Sequence, residues 1–302
     1  MRIFAFGLCS LCLISVCLVQ ADEKNDSTKN EKEPSSFPLG GDLSVALDSF
    51  RSLPDGSWGG NMGAYLSLNL AVATGKGNGI QGGWSYGVYD WDGRGSTDSK
   101  AVQQEGFFTG GFFHKTPNPS GVSFGVVYDW SINAKAGVFG LDPNMAQLRG
   151  QVGYLFRGGN EFGFESTYGT TTSHKSYGGI PVEFRAVSQL NAFWRHIFKK
   201  GGETMIWAGT PYRKGLIYES GRAGAYILGA SFKAPLSHSL SIEGHGMYMG
   251  SRNGSAYTES RNYAANVSLA ITYSFGGSKA GARPYLPLAN NSNFIADTNA
   301  SY

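Results

Sequence analysis

Ser241, Glu243 and His245 stand at alternate positions of one short stretch, between Leu240 and Met249. A hydroxyl, a carboxylate and an imidazole are the parts of a Ser-His-acid relay, with Ser241 as nucleophile, His245 as its base and Glu243 as the orienting acid. Their spacing argues against that use. On a strand, residues two apart point the same way and rarely aim at one another. Ser241 also does not stand in the G-x-S-x-G turn that presents a nucleophilic serine, its neighbours being Ser239-Leu240 and Ile242-Glu243. The favoured expectation is a polar ladder along one face of a strand. No catalytic residue is assigned, and a protein that is not an enzyme is expected, with an envelope enzyme acting on lipid or glycan as the alternative.

A second set of charged residues sits inside otherwise apolar stretches: Arg149, Glu165, Glu183, Arg185 and Arg195. With Glu243 and His245 they are the candidates for lining an interior. Such a set either forms a charged constriction that filters small polar solutes or pairs internally and plugs the space. The histidines are His114, His174, His196, His238 and His245. No two have the close spacing of a metal-binding pair, so no metal or cofactor is expected. Gly75-Lys76-Gly77 lacks the glycine of a phosphate loop five residues earlier, where Leu70 stands, and reads as a turn. Cys9, Cys12 and Cys17 are the only cysteines, so the chain beyond them has no disulfide, zinc-thiolate site or cysteine nucleophile.

The elements that carry these residues are strands of roughly ten residues with alternating apolar and polar side chains. From Ala265 to Phe275, Val267, Leu269, Ile271, Tyr273 and Phe275 share one face, and Asn266, Ser268, Thr272 and Ser274 share the other. Strands of this kind are expected at about 62–73, 80–90, 104–114, 122–131, 146–156, 161–169, 183–197, 203–210, 224–234, 239–249 and 264–275. Short Gly-rich turns and long polar loops alternate between them. Many such strands in series, apolar outside and polar inside, predict an all-β protein, an antiparallel up-and-down transmembrane β-barrel.

The connections set direction. Outer-membrane barrels have short periplasmic turns and long external loops, and bacterial single-chain barrels have even strand counts. A further strand is therefore required before Pro54, and Gly41 to Phe50 supplies it, for a total of about 12 strands. The rival for 43–50 is a short helix, because Leu43, Leu47 and Phe50 also fit a helical stripe.

Charge assigns the faces. Leu148, Val152, Tyr154 and Phe156 oppose Gln147, Arg149 and Gln151, and Phe184, Leu190 and Trp194 oppose Glu183, Arg185, Asn191 and Arg195. A mid-bilayer Arg or Lys facing lipid costs about 2–4 kcal/mol, so a membrane would impose this segregation. Tyr154, Phe156, Trp194, Phe198, Tyr273 and Phe275 fall at the periplasmic rim as interface aromatics, and Trp91 and Trp130 at the outer rim. The competing expectation is a soluble secreted barrel whose aromatics fill a protein core.

The ends differ from the middle. Arg2, the apolar run Ile3 to Leu18 and Val19-Gln20-Ala21 resemble a cleaved signal peptide over 1–21, with a membrane anchor and lipoprotein processing at Cys17 as lesser alternatives. Residues 22–40 are charged and lack large apolar side chains until Phe37, so a disordered linker is expected. The barrel would occupy 41–275. The tail, 276–302, contains Pro284 and Pro287, which argue against a regular strand around them. It is expected to stay loose in the periplasm or to dock Tyr285, Leu288 and Phe294 at the inner mouth. With 25 basic against 22 acidic residues, the charge balance is close to neutral and gives no signal for nucleic acid. The partners expected are membrane lipid and small polar solutes, and the location expected is the bacterial outer membrane.

An ordered set of short motifs adds a resemblance: Asp55-Gly-Ser-Trp58, Ser85-Tyr-Gly-Val-Tyr-Asp-Trp91, Val127-Tyr-Asp-Trp130, Leu148-Arg-Gly-Gln151, Phe193-Trp-Arg-His196 and Leu286-Pro-Leu-Ala-Asn-Asn291. Over about residues 45–295 the chain resembles an uncharacterised family of secreted, predicted outer-membrane proteins known mainly from planctomycete bacteria. The resemblance implies a porin-like envelope barrel. It carries over no activity and no catalytic residue.

Overall fold

A computed structural model of the protein describes residues 39–55, 61–89, 102–199, 201–216, 221–251, 263–276, 286 and 294–300. The proposed signal segment, residues 22–38 of the linker, Trp91, Tyr285 and Leu288 lie outside them.

The strands follow the alternation. They are β1 (Leu39–Arg51), β2 (Asn61–Gly75), β3 (Asn78–Tyr89), β4 (Gln103–His114), β5 (Gly121–Ala134), β6 (Asn144–Leu155) and β7 (Asn160–Gly169), then a hairpin of β8 (Thr172–Tyr177) and β9 (Ile180–Ala186). After it come β10 (Gln189–Ile197), β11 (Glu203–Pro211), β12 (Ile227–Pro235), β13 (Leu240–Met249), β14 (Ala264–Gly276) and a short β15 (Ala296–Thr298). Twelve of them close into one antiparallel barrel in the order β1-β14-β13-β12-β11-β10-β7-β6-β5-β4-β3-β2, and β15-β9-β8 form a separate sheet.

Residues 41–50 are a strand and not a helix. β1 pairs with β14 from Gly40↔Gly276 to Arg51↔Ala265 and with β2 from Leu39↔Val72 to Phe50↔Asn61. It is the strand that closes the wall. Its alternation decides the matter: Val45 and Leu47 face outward, while Asp42, Ala46 and Asp48 are buried inside. A helical stripe would have left the edges of β2 and β14 unpaired.

The expected single strand 183–197 is broken at Val187–Ser188. Unbroken, it would place Phe184 and Leu190 on one face. The break separates them: Phe184 is buried and Leu190 is exposed on the outer wall. Backbone and hydroxyl groups fix it, with Thr167 Oγ1 donating to Val187 O at 3.0 Å and Gly169 N donating to Ser188 Oγ at 3.0 Å. Polar loop residues concealed the preceding strand, β8, from the periodicity.

Every wall strand carries exposed apolar side chains on its outer face: Val45, Met62, Ile80, Phe112, Tyr128, Val152, Phe164, Leu190, Ile206, Leu228, Leu240 and Ile271, one from each. A continuous apolar belt of this size cannot stay in water without associating, and it is the surface that hydrocarbon requires. The inner face is polar. Asp42, Thr109, Asp129, Gln147, Arg149, Glu165, Asn191, Arg195 and Thr272 are all buried there. The outer belt is the reverse of what a soluble barrel, whose outer face meets water, would carry. Trp130 lies on the outer face near one rim, and Tyr154, Phe198 and Tyr273 near the other. Tyr154 and Phe156 stack edge to face with centroids 4.8 Å apart, and Trp194 Nε1 donates to Asn160 Oδ1 at 3.2 Å.

Glycines in the wall make room for inward aromatic rings. Gly163 lies opposite Gly153 of β6 and Phe193 of β10. A Cβ on Gly163 would stand 2.2 Å from Val152 O and 2.6 Å from Phe193 Cζ. Backbone cannot yield as a side chain does, so Gly163→Ala is expected to destabilise the barrel by about 1–3 kcal/mol. Urea unfolding in detergent micelles measures this, and an unchanged midpoint would show that the wall has slack there.

Candidate functional site

The candidate site is the barrel interior. Its middle is organised by a buried ion pair. Arg149 Nε donates to Asp129 Oδ2 and Nη2 donates to Asp129 Oδ1, both at 3.0 Å, in the two-pronged geometry that suits guanidinium and carboxylate. Thr109 Oγ1 donates to Asp129 Oδ1 at 2.8 Å and Gln147 Nε2 to Oδ2 at 2.9 Å. Asp129 thus accepts from β4 and from two positions on β6, which ties the wall together across three strands. A second pair, Arg195 Nη1 to Glu161 Oε2 at 3.0 Å, links β10 to β7. A third, Lys233 Nζ to Glu243 Oε1 at 3.5 Å, links β12 to β13.

The Ser241, Glu243 and His245 row lies on β13, and its bonds differ from those of a catalytic relay. Ser241 Oγ donates to Glu243 Oε1 at 3.3 Å. His245 turns Nδ1 to Asn266 Oδ1, 3.1 Å away, and its ring lies 5.3 Å from that of Trp207. Asn266 Nδ2 donates to Asp48 Oδ1 at 2.8 Å, and Tyr89 OH donates to Asp48 Oδ2 at 3.0 Å. A relay needs the serine hydroxyl on the imidazole, whereas here it is on the carboxylate.

The residues expected to line the lumen therefore divide. Arg149, Glu165 and Arg195 are buried on the inner wall, and Glu243 and His245 are half-buried there. Glu183 and Arg185 are not wall residues. They lie on β9, beyond the strand break. There His174 Nδ1 is 3.2 Å from Glu183 Oε1, and Arg185 Nη2 is 4.0 Å from Asp297 Oδ2. The other members of these three pairs, Asp129, Glu161 and Lys233, are not among the expected lining residues. Alternation does place Asp129 with Val127 and Ser131, opposite Tyr128 and Trp130, so that signal was present in the sequence.

The interior also holds residues from beyond the last wall strand. β14 ends at Gly276, on the rim with the short turns, where it pairs with Gly40. Leu286 is 1% exposed and packs with Ala71, Phe113 and Val127, inward residues of the half of the wall nearer that rim. Phe294 meets Phe107 edge to face at 5.0 Å. Ile295, also 1% exposed, packs with Val187, Phe193, Trp207, Ile227, Met247 and Met249 at the opposite, long-loop end. The expectation that Phe294 would be loose or docked at the inner mouth is corrected. Its ring belongs to the outer half, because the apolar clusters that receive Phe294 and Ile295, around Met145 and Phe184 and around Ile227 and Met249, are built there.

At that end the segment is pinned by backbone. β15 pairs antiparallel with β9, Ala296↔Ala186 through Thr298↔Phe184. Val187 N donates to Ile295 O at 2.9 Å, Leu216 N to Asp297 Oδ2 at 2.8 Å and Glu183 N to Asn299 Oδ1 at 2.8 Å. Burial pushes the Asp297 carboxyl up to about 6 from the ordinary 3.8, against the lowering effect of the Leu216 N–H and of Arg185. Beside the segment lies a cavity of about 70 Å³, bordered by Asp48, Arg51, Tyr89, Glu105, Asn133 and Phe294. Ligand pockets are about 300–1,000 Å³, so this space is too small to be one.

A closed antiparallel wall, an apolar outer belt and a polar interior together define a transmembrane β-barrel of the outer-membrane type. The chain belongs to a family of unknown function, DUF6666, whose profile matches residues 41–296. The match runs past the end of the last wall strand as far as β15, so the interior segment is part of the family's domain. A search of curated protein sequences finds no match. Solved structures similar to this chain include the calcium-bound dimer of outer membrane phospholipase from Salmonella typhi, at 7% identity, covering 81% of this chain and 94% of that one, with a TM-score of 0.44. A deletion mutant of the TodX monoaromatic hydrocarbon channel is similar at 9% identity, 81% and 91% coverage and a TM-score of 0.45. A Pseudomonas aeruginosa FadL homologue is similar at 9% identity, 80% and 91% coverage and a TM-score of 0.40. No functional residue is carried over from them.

Proposed function

We propose that the protein is a narrow outer-membrane pore for small polar solutes, held closed at rest by its own C-terminal segment. The observation that carries this is the burial of Leu286 and Ile295, each 1% exposed, against inner-wall residues at two levels of the lumen. Twelve strands lie between the eight-stranded barrels that side chains alone can fill and the 16- to 18-stranded porins that hold an open channel. Leu286 and Ile295 take up part of that lumen, and its polar wall would suit hydrophilic solutes once they left. This reading is non-enzymatic, and lipid is the partner of the outer belt.

A second reading is a structural envelope barrel. The cross-strand pairs Arg149–Asp129, Arg195–Glu161 and Lys233–Glu243 favour it, because each ties two neighbouring wall strands together and so serves the wall itself. Uptake of a small sugar by proteoliposomes separates the two. The full chain is expected to be silent and a chain ending at Gly276 to be permeable. If the truncated barrel folds and stays impermeable, the structural reading stands and the pore is lost.

A further inference from the structure

The long-loop end of the lumen receives a segment that began at the short-turn end. Gly276 sits on the rim formed by the short turns, Leu286 lies within the wall, and Ile295 to Ala300 lie with the long connections. We infer that the barrel serves as a conduit for its own C-terminal segment, which crosses to the outer face and is held there as a donated strand, so that residues 296–300 are presented outside.

The route is fixed by what surrounds the segment. A path over the outer surface would put Leu286 in lipid, yet it packs on the inward residues Ala71, Phe113 and Val127. The wall offers no side entry between its first and last strands, since β1 and β14 pair continuously from Gly40↔Gly276 to Arg51↔Ala265. The reach is ample. From Gly276 to Ala296, at about 3.3 Å per residue, an extended chain spans roughly 66 Å, well over the 30 Å or so of a hydrocarbon core.

The sequence suits passage. Gly277-Ser278-Lys279-Ala280-Gly281-Ala282 is slender, and Pro284 and Pro287 oppose a helix or a paired strand that would jam the lumen. The far end supplies the hold. β15 completes the β8–β9 hairpin as a third strand, which is β-augmentation within one chain. Asp297 and Asn299 accept backbone N–H bonds from Leu216 and Glu183, residues of two different outer connections. Ala300 packs with Met145, Val182 and Phe184. These contacts can form only after the segment has arrived.

Sidedness tests this independently of conduction. One variant carries a single cysteine on a flexible Gly-Ser extension after Tyr302. Two references are Ile180→Cys, on the exposed β8–β9 turn, and Asn118→Cys, on the exposed β4–β5 turn. Each is expressed in cells and treated with a membrane-impermeant maleimide before and after the outer membrane is breached, against the parent chain as background. The appended cysteine and Ile180→Cys are expected to label in intact cells, and Asn118→Cys only after the breach. Labelling that follows Asn118→Cys, or none on the Ile180→Cys side, overturns the inference. The pore reading fails separately, in the flux measurement.

Discussion

Replacing Arg149 with alanine is expected to destabilise the barrel by about 3–5 kcal/mol, the cost of leaving a buried charge without its partner. Arg149 and Asp129 are 4% and 0% exposed, and the pair is joined by two hydrogen bonds of 3.0 Å. Thr109 and Gln147 would still donate to Asp129, but neutral donors do not balance a carboxylate removed from water. Removing both charges together, with Arg149→Met and Asp129→Leu, is expected to cost much less than the single change. Urea unfolding of the parent, Arg149→Met, Asp129→Leu and the double variant in micelles, followed by tryptophan fluorescence, gives the cycle. A single variant within about 0.5 kcal/mol of the parent would show that water reaches the pair and that the interior is wetter than the structure implies.

Deleting residues 277–302 is expected to turn a silent barrel into a conducting one in planar bilayers, with discrete steps of current. The wall is complete without the segment, because its last pairing involves Gly276. The deletion also removes the burial of Leu286 and Ile295, about 1.5–3 kcal/mol for each, so the open barrel should unfold at lower urea than the parent. The current should be small. Arg149, Asp129, Arg195 and Glu161 stay on the inner wall and keep the lumen narrow and charged. A folded, truncated barrel that never conducts would show that the wall's own side chains shut the lumen and that the segment is only an addition to it.

The barrel was legible because its cause is local. Strand alternation, turn length and the exclusion of charge from one face are each written within about ten residues, and they recover the closed antiparallel wall and even β1, which parity demanded. The tail was not legible in the same way. Leu286 and Phe294 stand in a stretch interrupted by Pro284 and Pro287, so no periodicity indicates where they pack. Their destinations are set by Phe113, Val127 and Phe107, far away in sequence. The break at Val187–Ser188 was hidden for a related reason: alternation continues through it, and only the pairing of Ile295 with Val187 and of β15 with β9 makes a separate sheet stable. The charged residues were found more readily than their partners. Glu183 and Arg185 carry the same alternating signature as Arg195 but serve the outer sheet.

The central claim is that the lumen is occupied by the chain's own C-terminal segment, and a cross-link tests it most directly. Leu286→Cys paired with Val127→Cys, on the inner wall, is compared with Leu286→Cys paired with Val267→Cys, on the lipid face. Both are treated with a short bismaleimide in folded, full-length protein. The first pair is expected to join within the chain and the second to remain apart. Failure of Leu286→Cys to join Val127→Cys in a correctly folded barrel, or its joining Val267→Cys instead, would contradict the account.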